Sequence, residues 1–229
     1  MQSKVKLTKR QMKEDKFTTF MLTSKDRLQT ELEDKWQYYL IGAIVVVVLI
    51  WAAIWFLGRQ TTQESGAATA YSKAMMSYMN RDNQVAALEF GQIVQDYGGT
   101  EFAANAAFIL GNLNLENRSY DDAIRYYRMY LDEFAGTPLN RAAAQAGIAT
   151  VAENQGKFAE AAAGFVQAAE ANADGALRAD YELGAIRNYL ADGKIDQAET
   201  RLAILKDKYA GSDWTTRAIR LITEKKQAG

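Results

Sequence analysis

The chain has 229 residues, with 27 Lys+Arg against 28 Asp+Glu, one Pro, no His and no Cys. A formal net charge of −1 argues against a nucleic-acid binder that works by bulk electrostatics. The missing His and Cys remove Ser-His-Asp and Cys-His nucleophile systems, thiolate chemistry, disulfides and His- or Cys-ligated zinc.

Charge divides the chain into three parts. Residues 1–37 carry nine Lys/Arg and six acids, residues 38–58 carry none, and residues 59–229 carry the remaining 18 basic and 22 acidic side chains. The leader, 1–37, is polar and basic up to Lys9. From 10 to 36 its apolar residues Phe17, Phe20, Met21, Leu28, Leu32 and Trp36 fall near helical spacing. Its basic side chains suit anionic headgroups. Two readings stand for it: a solvated helix leading into the next segment, or a docking helix for a membrane partner.

Residues 38–57 read YYLIGAIVVVVLIWAAIWFL, 20 residues without a charge. At helical rise this length spans roughly 30 Å, the thickness of a hydrocarbon core. Trp36, Tyr38 and Tyr39 precede it and Trp51, Trp55 and Phe56 stand toward its exit, as an interfacial aromatic belt requires. No small-x-small site closes the run before Gly58-Arg59, so an uncleaved anchor fits better than a removed signal peptide. Lys25, Arg27 and Lys35 before the span outweigh Arg59 and Lys73 after it. The expectation is a single-pass anchor at 38–58, with the N-terminus cytoplasmic and the C-terminal part across the membrane, which in a bacterium is the periplasm. A short linker, 59–65, follows.

The rest, 66–229, repeats. Segments starting at Asn83, Tyr120, Phe158 and Ile195 align, with a small residue at Ala86, Ala123, Ala161 and Ala198, at steps of 37, 38 and 37. Four residues on comes Phe90, Tyr127, Phe165 or Leu202. An aromatic closes the segment at Tyr97, Phe134 and Tyr209, followed by Gly and Thr or Ser; the third segment has Ala171 instead. Glycine there ends a helix in left-handed backbone. Thr100, Thr137 and Ser212 then cap the next helix, Pro138 suits a first turn, and Ser119 with Asp122 reads as a capping box. The pattern predicts helices at 66–80 and 83–97, 101–116 and 120–134, 138–154 and 158–171, 175–191 and 195–209, and a capping helix at 213–226. A hairpin of this kind buries its apolar face only by stacking. The predicted fold is all-α: one transmembrane helix, then a solenoid of four hairpins and a cap.

These residues resemble tetratricopeptide repeats (TPR): the alanine, the large residue four on, and the aromatic-Gly-Thr-Pro close at Phe134–Pro138, with Gly111 at the small first-helix position. The period is longer than the usual 34, only Pro138 supplies the closing proline, and Gly147 and Gly184 are shifted. The layout of leader, anchor, linker and hairpins resembles the YfgM-like group of bacterial inner-membrane proteins. That resemblance implies a role ancillary to the SecYEG translocon and periplasmic chaperones.

Little in the sequence suggests catalysis. Asp121-Asp122 reads as first-turn acid complementing a helix dipole. Gly98-Gly99 lacks the length and lysine of a phosphate loop, and 80–83 lacks calcium-loop spacing. No enzyme activity, metal, cofactor, small-molecule substrate or nucleic acid is expected. The TPR resemblance places a groove on the first helices, at Tyr71, Met75, Tyr78 and Met79, at Asn105, Phe108, Asn112 and Leu115, at Ala143, Ala146, Thr150 and Glu153, and at Asp180, Leu183, Arg187 and Leu190. Met and Tyr adapt to varied apolar partners; the same residues would also serve as packing between hairpins. Expected partners are other proteins (translocon subunits, periplasmic chaperones or a host membrane complex) and the bilayer through 38–57. The leading function is a membrane-anchored scaffold beside the export machinery. The alternative is an accessory structural subunit of a larger inner-membrane complex.

Overall fold

The computed structural model describes the backbone of residues 9–134 and 136–228, and side chains at 37, 38, 40–55, 62–134 and 136–228. Among the described residues there are nine helices and no strands: α1 (Lys9–Met79), α2 (Asn83–Asp96), α3 (Glu101–Glu116), α4 (Tyr120–Glu133), α5 (Pro138–Asn154), α6 (Phe158–Ala171), α7 (Arg178–Ala191), α8 (Ile195–Lys208) and α9 (Asp213–Ala228). The chain forms two compact units, Met1–Gln60 and Thr61–Gly229.

In the first unit, α1 is continuous from Lys9 through the apolar run. Every side chain described from 40 to 55 is exposed, with the large ones between 46% and 66% accessible. The side chains of 9–36, Tyr39 and 56–61 lie outside the described residues. Among the described residues no helix is long and apolar enough to cross a membrane. The described stretch, 40–55, is itself shorter than the roughly 20 residues that a hydrocarbon core needs. The predicted linker 59–65 is not a break, because α1 runs through it to Met79.

The second unit is the expected series of hairpins, and the helix limits follow the sequence pattern within a few residues. Each hairpin turns through one left-handed residue: Arg81 (φ 65°), Arg118 (59°), Gly156 (74°) and Gly193 (76°). The amide after each reaches back five residues, from Asp82 to Ser77 O (3.0 Å), Ser119 to Asn114 O (2.8 Å), Lys157 to Ala152 O (2.9 Å) and Lys194 to Tyr189 O (2.8 Å). This closure satisfies the orphan carbonyls of the first helix. It also displaces the predicted capping box. Ser119 donates its amide to the turn and makes no side-chain cap bond, while Asp122 pairs with Arg125 at 2.9 Å.

Between hairpins the predicted caps form. Thr100 accepts from Ala103 N (3.1 Å), Thr137 from Asn140 N (3.2 Å) and Ser212 from Thr215 N (3.3 Å). Gly99 (φ 88°) and Gly211 (φ 74°) supply the left-handed step. The third junction, which lacks the closing aromatic, differs. α7 begins at Arg178, not 175, and Arg178 Nη1 holds the Ala173 carbonyl at 2.6 Å.

The four recurrent alanines are fully buried, and Phe90, Tyr127, Phe165 and Leu202 are buried beside them. Tyr127 lies between two hairpins. A Cβ at Gly111 of α3 would stand 2.6 Å from its ring, and one at Gly147 of α5 would meet the ring at 2.6 and 2.9 Å. Phe165 approaches Gly184 of α7 in the same way, at 2.9 Å. The shifted glycines Gly147 and Gly184 are therefore sockets for a ring from the preceding hairpin, whereas Gly111 receives a ring from its own. At the far end α9 covers Leu183, Ile186 and Leu190 with Ala218 and Ile222, and the Thr215 hydroxyl donates to Leu205 O or Tyr209 O at 3.1 and 2.8 Å.

Candidate protein-binding surface

Many of the predicted groove residues pack against neighbouring helices, within their own hairpin or across to the next. Tyr71 sets its ring 5.6 Å from both Phe90 and Phe102, and Tyr78 sits 6.3 Å from Phe90. Met75 joins the same cluster. Burial raises the Tyr71 hydroxyl above the ordinary tyrosine range. In the second hairpin Phe108 contacts the rings of Tyr127 (6.1 Å) and Tyr130 (5.6 Å), and Leu115 belongs to that cluster. Asn112 accepts a 2.7 Å hydrogen bond from the Tyr127 hydroxyl, which burial pushes far above its ordinary range.

The remaining positions divide three ways. Arg187, the one basic residue among the predicted groove positions, is engaged by Glu153. Its Nε and Nη2 donate to the two carboxylate oxygens at 2.5 and 2.7 Å, tying α7 to α5. Ala146 is buried, and Thr150 donates to its carbonyl at 2.8 Å. In the fourth hairpin Leu183 and Leu190 are covered by α9, and Asp180 accepts from Trp214 Nε1 at 2.7 Å. Much of the stripe that the sequence reading aims at a ligand is in contact with neighbouring helices. Met79, at 75%, is exposed, as are Asp180 and Arg187. Met76, Val85 and Leu88 of the first hairpin are also exposed. At the positions of Val85 and Leu88, later hairpins carry Asp122 and Arg125, Glu160 and Ala163, Gln197 and Thr200.

One predicted residue, Asn105, lines a cavity of about 280 Å³ at the loop end of the solenoid. Its walls are the α2–α3 turn and first turns of α3 (Gly99, Thr100, Glu101, Ala104, Asn105), the end of α4 (Tyr130, Phe134), and the α4–α5 turn with the start of α5 (Gly136, Thr137, Asn140). Two helix N-termini therefore meet one aromatic wall. Arg141 holds α4 in place beside it, donating to Leu131 O and Phe134 O at 2.8 and 3.2 Å.

Sequence reasoning also missed a buried ion cluster. Glu182 is inaccessible to solvent. It accepts from Arg201 Nε (2.7 Å) and Nη2 (3.0 Å), and Arg178 Nε stands 3.6 Å away. Its charge is paired in place, as burial demands. The absence of an apolar residue at Glu182, on an otherwise apolar face, was the available signal. Among the described residues no group of three or more metal-ligating side chains comes together.

A family model described as a tetratricopeptide repeat-like domain matches residues 32–202. The chain belongs to that family. The match extends through the apolar run as well as the TPR-like hairpins. No curated protein matches the chain. Among solved structures, the TPR-like domain is similar to the nearly identical TPR-like repeats of a Podosopora anserina protein assigned as a kinesin light chain. That likeness has TM-score 0.55 and 16% identity, covering 72% of this chain and 87% of the other. A single-residue variant of the same Podosopora anserina repeats aligns with the same values. The shared feature is the fold, and TPR-like repeats of this kind generally mediate protein–protein interaction.

Proposed function

We propose that the protein is a membrane-anchored TPR scaffold of the bacterial inner membrane, non-catalytic, with a cytoplasmic leader and a periplasmic repeat domain that works beside the protein-export machinery and its chaperones. The observation that carries the anchor is the exposure of every described side chain from 40 to 55, on all faces of one uncharged helical stretch. A water-soluble chain does not leave so large an apolar surface uncovered, and a bilayer covers it on all sides. The Lys/Arg excess on the N-terminal flank sets the direction. The TPR-like domain, belonging to a family of interaction modules, supports protein partners.

Protease added to spheroplasts tests topology and localisation together. The repeats should be digested and a leader-plus-anchor fragment protected; protection of the repeats would reverse the orientation. A photo-crosslinker at Met79, the exposed apolar residue of the predicted groove, tests the partner class. Capture of translocon subunits, chaperones or nascent envelope proteins supports the export role.

A second reading is an accessory subunit of a larger inner-membrane complex. It is favoured by the exposed large apolar side chains Met76, Met79, Val85 and Leu88 of the first hairpin; at the positions of Val85 and Leu88 later hairpins carry polar residues or alanine. Mild-detergent purification separates the two: a fixed-ratio complex supports the subunit, substoichiometric translocon components the scaffold.

A further inference from the structure

We propose that the cavity between the N-termini of α3 and α5 binds a carboxylate presented by a polypeptide partner. The inference rests on the reading of this domain as a protein-binding module and names the chemistry that one site would recognise.

The first observation is Tyr130. Its side chain is 1% exposed, yet among the described residues no group hydrogen-bonds its hydroxyl. Tyr127, three residues earlier on the same helix, satisfies its hydroxyl on Asn112 at 2.7 Å. The hydroxyl opens onto the cavity and is free to take a partner there. Gly136 keeps the place open, since a Cβ there would stand 2.6 Å from the ring carbon bearing the hydroxyl. The second observation is the pair of helix starts on the same cavity. Thr100 and Thr137 satisfy only the third amides, those of Ala103 and Asn140. The amides of Glu101, Phe102 and Leu139 belong to first turns and have no intrahelical acceptor. Of these three residues Glu101 lines the cavity, and the first turn of α5 adds Thr137 and Asn140 to its wall, so both helix ends turn positive dipole potential toward it.

Asn105 and Asn140 add side-chain amides, and Phe134 gives an apolar wall against which the partner's adjoining side chain can rest. A volume of about 280 Å³ admits a carboxylate with part of one side chain. Glu101 works the other way. Its exposed carboxylate stands at the rim and repels an anion, so its neutralisation should tighten binding.

The test uses the full chain in detergent micelles, observed by two-dimensional NMR at Gly99, Gly136 and the Asn105 side-chain amide. The probes are N-acetyl-phenylalanine, a terminal carboxylate; N-acetyl-glutamic acid α-amide, a side-chain carboxylate; and N-acetyl-phenylalaninamide, the neutral twin of the first. Both carboxylates should shift these resonances, with the neutral twin at least about tenfold weaker. The tighter of the two tells a chain terminus from an internal acidic residue. Tyr130→Phe should weaken carboxylate binding about tenfold with no loss of melting temperature, and Glu101→Gln should strengthen it. Failure of both carboxylates to bind, equal binding of the neutral twin, or unchanged affinity in Tyr130→Phe would overturn the site. None of these outcomes would touch the scaffold reading, which rests on topology and on crosslinks from Met79.

Discussion

Replacing Gly147 by alanine isolates the contact that joins the second and third hairpins. In an exposed helix interior the change stabilises by about 1 kcal/mol, because glycine loses more backbone freedom on folding. Here the new Cβ would stand 2.6 and 2.9 Å from Cε2 and Cε1 of Tyr127, well inside the roughly 3.5–4.0 Å of an ordinary carbon contact. The ring has no room to retreat, since a Cβ at Gly111 on its other side would already be at 2.6 Å. Either the hairpins separate or the ring turns and loses its 2.7 Å bond to Asn112. Overpacking costs about 1–3 kcal/mol and the hydrogen bond about 1 kcal/mol. Set against the propensity gain, Gly147→Ala should destabilise by about 1–3 kcal/mol. Gly91→Ala is the control, since a Cβ there meets nothing within 4 Å. It should stabilise by up to about 1 kcal/mol. Urea denaturation followed by helical circular dichroism reads both. Removing the ring with Tyr127→Leu should make the Gly147→Ala penalty shrink or vanish. Equal stabilisation by the two alanines would refute the socket.

Three further outcomes follow from the same packing. Phe165→Ala should cost about 3–5 kcal/mol, because its ring fills the gap against Gly184; a cost below about 1 kcal/mol in chemical denaturation would place it outside the core. Glu182→Gln should cost about 3–5 kcal/mol by leaving Arg201 and Arg178 uncompensated in the interior, and a melting temperature equal to wild type would show the pair to be dispensable. A chain starting at Thr61, where the second compact unit begins, should be soluble, monomeric and helical by circular dichroism and sedimentation; strong β signal or aggregation would deny that the hairpins hold their own core.

The fold was legible because it is periodic. Alanine at 86, 123, 161 and 198, with a large residue four on, repeats at a spacing that no strand or random coil produces. The Thr and Ser caps were readable because a cap depends on local chemistry alone. Arg81 and Arg118 were not, because a left-handed arginine has no sequence signature. The equivalence with Gly156 and Gly193 emerges only once the turn geometry aligns them. The glycine sockets failed to register for a related reason. Gly147 and Gly184 are displaced from the position of Gly111, and which neighbour supplies the ring is a fact about three helices.

The groove illustrates a more general limit. Tyr71, Met75 and Tyr78 do form one helical stripe, as their spacing demands. In a stacked-hairpin protein each first helix has two apolar faces to satisfy, one toward its partner and one toward the next hairpin. Periodicity fixes the stripe and is silent on which of these it meets. The stripe met Phe90 and Phe102; its counterpart on α7 met α9. A ligand surface must be sought where stacking leaves polar groups unpaired. The loop end at Tyr130 is such a place: the helix starts that begin each hairpin cannot be satisfied by stacking, because their amides point along the axis and out of the layer. A solenoid built this way carries its unspent donors at the edges of its layers, while the residues that look most like a binding face hold the layers together.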